Sequence, residues 1–147
     1  MPELRIVTEI AAPPLVCFDL ARSIDLHLES MAASRERAVG GITSGLIEAG
    51  QEVTWEARHF GVMWRVTSRI TEFDPPRGFV DEMDEGRPFS RFRHEHLFES
   101  HDKGTRMTDL VTFKTRWGPL VDAVVYVYLR RLMTTRNAAI RSRAEST

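Results

Sequence analysis

Two histidines spaced two residues apart, His94 and His96, and one aspartate, Asp109, are the residues of this chain whose types and spacing best suit chemistry. An imidazole gains or loses its proton near neutrality, and a carboxylate beside it fixes which ring nitrogen carries that proton. Such a set can anchor the polar end of a ligand or serve as a general acid and base. Phe92-Arg93-His94-Glu95-His96-Leu97-Phe98 alternates strictly, as does Met107-Thr108-Asp109-Leu110-Val111-Thr112-Phe113, and only Ser100 to Thr105 separate the two. They read as adjacent strands of one hairpin. Phe92, His94, His96 and Phe98 share a face, and the matching apolar set of Met107, Val111 and Phe113 carries Asp109 onto it. Pairing Phe98 with Met107 puts His96 opposite Asp109 and His94 opposite Val111, so the register predicts an inward contact between His96 and Asp109.

Other readings compete for the same residues. A His-x-His pair on a strand lies roughly 7 Å apart at Cα, close enough to share a metal with Asp109 or His59 as third ligand. No cysteine or second carboxylate joins it, so no metal is expected. The His96 and Asp109 couple also fits a purely structural role, as a satisfied buried pair. His59 and His27 read as rim or structural histidines, and His101 as a solvated turn residue. Trp55 and Trp64 face inward from neighbouring strands, either as an aromatic wall for a flat ligand or as ordinary core. Arg131 borders the apolar stripe of the last helix; it either reaches inward as an anion anchor or lays its stem over apolar surface. Cys17 lies in an apolar helix, no Gly-x-Ser-x-Gly elbow exists, and Val39 to Gly45 lacks the lysine of a phosphate loop. No nucleotide or other cofactor is expected.

The elements that must position these residues follow from periodicity. Leu4, Ile6, Thr8 and Ile10 alternate as a strand that Ala11-Ala12-Pro13-Pro14 stops, and Pro14 opens a short helix through Arg22. A second short helix spans Ile24 to Met31, and Ala38 to Ile42 makes a short strand bent at its glycines. Glu52 to His59 and Val62 to Ile70 form a hairpin that pairs His59 with Val62, Ala57 with Trp64 and Trp55 with Val66. After the Asp74 to Gly78 turn, Phe79 to Asp84 is a strand for which two inward sets compete, Phe79, Asp81 and Met83 being more apolar than Val80, Glu82 and Asp84, followed by a turn over Glu85 to Pro88. Val121, Val124, Val125, Tyr128, Leu132, Thr135 and Ala139 keep helical spacing, which predicts one helix from about 118 to 142, with a frayed end over 141–147. Helices segregated to one face of an antiparallel sheet give an α+β domain.

The 147 residues suit a single domain, 1–147, with a core that needs no disulfide. Eighteen arginines and two lysines are balanced by 21 acids, leaving a formal charge of -1 that favours no polyanion and no nucleic acid. A lone Cys17, the lack of a signal-like leader and the lack of a long apolar run point to a cytoplasmic protein without membrane insertion. Tyr126, Leu129 and Met133 lie opposite Val124 and Leu120 on the helical wheel, so an apolar outer face and a homodimer through it are expected.

Ser23 to His27, Gly45 to Ile47, Val53 to Gly61, Phe79 to Met83, Arg93 to Glu99 and Gly104 to Asp109 together resemble the SRPBCC or START-like superfamily, and within it the small bacterial polyketide cyclase/dehydrase-like proteins. The resemblance implies a helix-grip fold, in which a curved antiparallel sheet wraps a long C-terminal helix. It also implies a cavity between the two for a hydrophobic small molecule or lipid. Members range from sterol, lipid and hormone binders to aromatase/cyclases, and fold alone does not choose between them. The expected function is binding of an apolar, ring-bearing molecule by Trp55, His59, Trp64, Met83, Phe92, His94, His96, Asp109, Val111 and Tyr128. The alternative is a cyclase/dehydratase-like enzyme in which His94, His96 and Asp109 are the catalytic candidates.

Overall fold

Strict alternation over Glu3–Ile10 (β1) ends at the prolines, and Pro14 supplies the first turn of α1, Pro14–Ala21. Ser23 caps α2, Ile24–Ser30, by accepting a hydrogen bond from the Leu26 N–H. Six strands follow: β2 Arg37–Gly41, β3 Glu52–His59, β4 Val62–Asp74, β5 Gly78–Met83, β6 Phe89–His101 and β7 Gly104–Thr115. The chain closes with α3, Pro119–Glu145, entered through Gly118 at a φ of 92°. The computed structural model describes residues 2–32, 35–83 and 88–146. Asp84 and the turn residues Glu85 to Arg87, expected to close the fifth strand, lie outside the described residues.

All seven strands form one antiparallel sheet in the order β1-β7-β6-β5-β4-β3-β2. Register shifts at Ala38/Gly40, Ile70/Glu72 and Phe89/Arg91 bend it. In β2, Gly41 has a φ of +66°, and a Cβ there would lie 2.1 Å from the Glu52 carbonyl oxygen. The hairpin registers are those expected, with Phe98 opposite Met107, His96 opposite Asp109 and His59 opposite Val62.

Two apolar clusters hold α3 to the sheet. One joins Phe18, Phe79, Phe98 and Met107 to Ile140 and Ala144 near the helix end. The other joins Leu4, Phe92, Val111 and Phe113 to Val125 and Leu129. Among the described residues no helix is long and apolar enough to cross a membrane.

Three expectations about α3 are corrected. The helix does not end near residue 142: it continues to Glu145, whose carboxylate accepts from the Ala11 N–H at 2.9 Å, and Ala144 is buried. Leu129 does not face outward but is 8 % exposed in the second cluster, with Tyr126 and Met133 packed against it. The homodimer face expected on those three residues therefore belongs to the interior. The helix is rotated because Asp122, Val125, Leu129, Arg136, Asn137, Ile140 and Ala144 are its buried set. Three polar members, Asp122, Arg136 and Asn137, interrupt that set, so counting apolar residues alone misplaces the stripe. Leu120, Val124 and Val127 are the exposed apolar residues.

Candidate functional site

The curved sheet and α3 diverge between the two clusters and leave a cavity of about 510 Å3. Its wall is largely apolar and includes Trp55, Trp64, Met83, Phe92, Val125 and Leu129. The lining residues Phe60, Trp117, Leu120 and Val124 are exposed, which places the mouth between the β3–β4 turn and the first turns of α3. At this end His59 Nδ1 meets the Tyr128 hydroxyl at 2.5 Å, and the Phe60 ring lies 4.6 Å from that of Tyr128. Burial moves both groups toward their neutral forms, lowering His59 and raising Tyr128.

About four turns further along α3, Ser68, Asp81, His94, His96 and Arg136 form a polar cluster in the wall. Three strands and the helix supply this group. On β6, the His94 and His96 rings stack at 3.7 Å, and Phe79 of β5 stacks on His96 at 4.0 Å. His96 Nε2 meets Asp81 Oδ2 at 2.6 Å, and His94 Nε2 meets Asp109 Oδ1 at 2.7 Å. A carboxylate only accepts, so each imidazole donates from Nε2. Ser68 donates to the second oxygen of Asp81 at 3.1 Å, and Asn137 donates to the second oxygen of Asp109 at 2.8 Å.

Arg136 closes the network. Nη1 donates to Asp109 and to the Asn137 side-chain oxygen; Nη2 donates to the Ala21 carbonyl and to His96 Nδ1, the last at 3.3 Å. A guanidinium cannot accept, so His96 Nδ1 holds a lone pair and His96 is neutral. The electrostatics agree: burial, then the neighbouring His94, press the His96 imidazole down to about 4 against the pull of Asp81. Burial pushes Asp81 up, but the hydrogen bond from His96 and the nearby positive groups outweigh it and bring the carboxyl to about 2. Asp109 is likewise held well below the usual carboxylate range, burial being outweighed by the His94 hydrogen bond and the Arg136 charge. No buried polar side-chain atom among the described residues lacks a partner.

Asp81, His94 and His96 bring potential ligand atoms within 4.8 Å of one another, the geometry a metal would require. The donor set does not fit one. For His96 Nε2 to bind a cation, its proton would have to move to Nδ1, where it would face the Arg136 N–H. The guanidinium would also stand beside the ion.

Trp55, His59, Trp64, Met83, Phe92, His94, His96 and Tyr128 all line the cavity. Asp109 and Val111 do not, and their assignment to the wall is corrected. Asp109 is 1 % exposed behind His94, and Val111 is fully buried in the second cluster. The contact expected between His96 and Asp109 is present, with His96 Nδ1 3.6 Å from Asp109 Oδ1, but the direct hydrogen bond goes to His94 because both rings lean along the strand toward each other. His27 lines the wall, paired with Glu36 at 2.6 Å and 4.3 Å from the Trp55 ring. Arg131 is exposed and stays outside. The inward arginine is Arg136, which with Asn137 escaped the sequence reading. A signal was available: the two lie on the stripe that Leu129, Ile140 and Ala144 define.

A curved antiparallel sheet gripping a long helix over a cavity defines the helix-grip class. Over residues 1–145 the chain matches the family described as polyketide cyclase / dehydrase and lipid transport, and it belongs to that SRPBCC-type family. Similar solved structures include Ara h 8.0201, with 18% identity, 99% of each chain covered and a TM-score of 0.76. Another is TTHA0849 from Thermus thermophilus, with 19% identity, 99% of this chain and 98% of that one covered, and a TM-score of 0.72. A third is the Zhui aromatase/cyclase from a Streptomyces species, with 16% identity, 98% and 93% covered, and a TM-score of 0.77. At these identities the likeness is one of fold. No protein of curated function matches the sequence.

Proposed function

We propose that this chain binds an apolar, ring-bearing small molecule in the cavity between sheet and α3, with its polar end toward His94 and His96. The observation that carries this reading is the cavity itself. About 510 Å3 walled mostly by aromatic and aliphatic side chains, with a few polar groups that include the cluster at His94 and His96, is the composition of a small-molecule site. The ordered stack of Phe79, His96 and His94 adds a flat surface at that place. Titration with N-phenyl-1-naphthylamine, a neutral aromatic fluorophore, tests the proposal. Saturable one-to-one emission enhancement, reversed by competing apolar compounds, is expected. Absence of saturable binding overturns it.

One observation favours a cyclase/dehydratase reading: His94 is held by Asp109 in the manner of an oriented base. Against it, Asp81, the carboxylate on the wall beside these histidines, is held ionised and is engaged by Ser68 and His96, so it is poorly suited to protonate a leaving hydroxyl. Formation of a dehydrated aromatic product from a poly-β-ketone thioester, lost in His94→Phe, would decide for the enzyme.

A further inference from the structure

The polar wall keeps an unused hydrogen-bonding position on His94, and on the neutral ring that position is an acceptor. His94 donates from Nε2 to Asp109, while its Nδ1 lies 3.9 Å from Asp81 Oδ2, beyond hydrogen-bond reach. No hydrogen bond reaches Nδ1 among the described residues, yet none of their buried polar side-chain atoms is left unsatisfied. His94 is only 4 % exposed and lines the cavity, so Nδ1 is an accessible atom on the cavity side. Having given its proton to the Nε2 side, the ring presents an acceptor there.

The cations of the wall are already engaged by protein acceptors. Arg22 and Arg136 are the only arginines or lysines among the described lining residues. Arg22 is paired with Asp19 and the Ile47 carbonyl. The four hydrogens on the terminal nitrogens of Arg136 are spent on Asp109, Asn137, Ala21 and His96, which leaves Nε–H as its one donor without a hydrogen bond among the described residues. One guanidinium faces two carboxylates, Asp81 and Asp109, so an incoming anion would meet net negative charge in a poorly screened place.

We infer that the site selects a ligand whose buried end is a hydrogen-bond donor, a phenolic or alcoholic hydroxyl or an amine, received by His94 Nδ1, and that it rejects carboxylates. This rests on the binding reading above. A matched set tests it at pH 8 by tryptophan fluorescence: 2-naphthol, which donates; 2-methoxynaphthalene, which only accepts; and 2-naphthoate, an anion. The naphthol binds about tenfold or more tightly than either of the others, because a buried group left without its partner is strongly disfavoured. In His94→Phe, checked for folding by its thermal transition, the preference of naphthol over the methyl ether falls to about twofold or less. The wild-type comparison stands even if that variant does not fold. Equal binding of naphthol and ether, or tighter binding of the naphthoate, overturns the donor selection and leaves the cavity reading intact. Failure of all three to bind overturns both.

Discussion

Asp81 stands directly opposite His94 across β5 and β6, yet it takes its hydrogen bond from His96, 2.6 Å away. The other side of β6 repeats the crossing: Asp109 stands opposite His96 and bonds His94. Each imidazole leans along its strand toward the other, which brings the two rings into a stack. The tips then reach diagonal neighbours on opposite sides of β6. The crossing laces β5, β6 and β7 together, and Arg136 and Asn137 fasten α3 to the same knot. The polar wall of the cavity is therefore also a structural joint.

Asp109 is the node of that joint, bonded to His94, Arg136 and Asn137. Asp109→Asn keeps the shape but removes the charge that balances a buried guanidinium. Breaking one partner of a buried pair costs about 3 to 5 kcal/mol, and a loss in that range is expected in urea unfolding. A loss below about 1 kcal/mol, the scale of an exposed ion pair, would show that the joint does not hold the helix.

The same network sets how stability responds to acid. His96 is held at about 4, below the ordinary imidazole value, so the unfolded chain binds its proton first. Stability falls as the pH drops from about 6.5 to 4, by about 3 kcal/mol in all, with the lowered His59 adding in the same direction. Asp81 at about 2, and Asp109 lower still, contribute stability that is complete above about pH 4 and lost on further acidification. Unfolding free energies from pH 8 to pH 3 should show a two-stage decline, and His96→Gln should shrink the upper stage. An upper stage unchanged in that variant would assign it to another group.

The rotation of α3 gives a direct contrast between two substitutions. Leu129 is buried against Phe92, Val111 and Phe113, whereas Val127 is 65 % exposed. Leu129→Glu should destabilise by about 3 kcal/mol or more, since it buries an unpaired charge and loses core packing. Val127→Glu should stay within about 0.5 kcal/mol. Comparable effects from the two would mean that Leu129 does not face the interior in solution.

Most of the sheet was legible because alternation specifies register: one slip would move His94, His96 and Phe98 to the outer face, so Phe98 had to meet Met107. Cross-strand chemistry was less legible. Register fixes Cα partners, whereas the hydrogen bonds of His94 and His96 depend on how the rings lean. Asp81 was readable as inward from the alternation of β5, but its partner was not. Arg136 and Asn137 lie on the buried stripe of α3, but the carboxylate that justifies burying them, Asp109, is supplied by a strand 27 and 28 residues away, so an apolar count passes over them. The cavity was foreseeable from the element order alone, a long helix crossing a curved sheet. Val111 shows the limit: facing inward is not the same as reaching the cavity.

Trp64 separates a binding wall from an ordinary core. It is half-buried and lines the cavity near its mouth, with Nε1 donating to the His59 carbonyl at 3.1 Å and its ring 5.9 Å from that of Trp117. A fully buried indole costs about 3 to 5 kcal/mol when truncated to alanine, because a cavity opens and contacts vanish on every side. Here one side already borders open space, so Trp64→Ala should cost only about 1 to 2 kcal/mol in urea unfolding. Its effect on binding should be larger in proportion. An aromatic face at a desolvated wall is the kind of contact that dominates recognition, and affinity for N-phenyl-1-naphthylamine should fall about tenfold or more. The opposite pattern, a loss above about 3 kcal/mol with affinity for the probe unchanged, would make Trp64 a packing residue and move the ligand's path away from the β3–β4 end of the cavity.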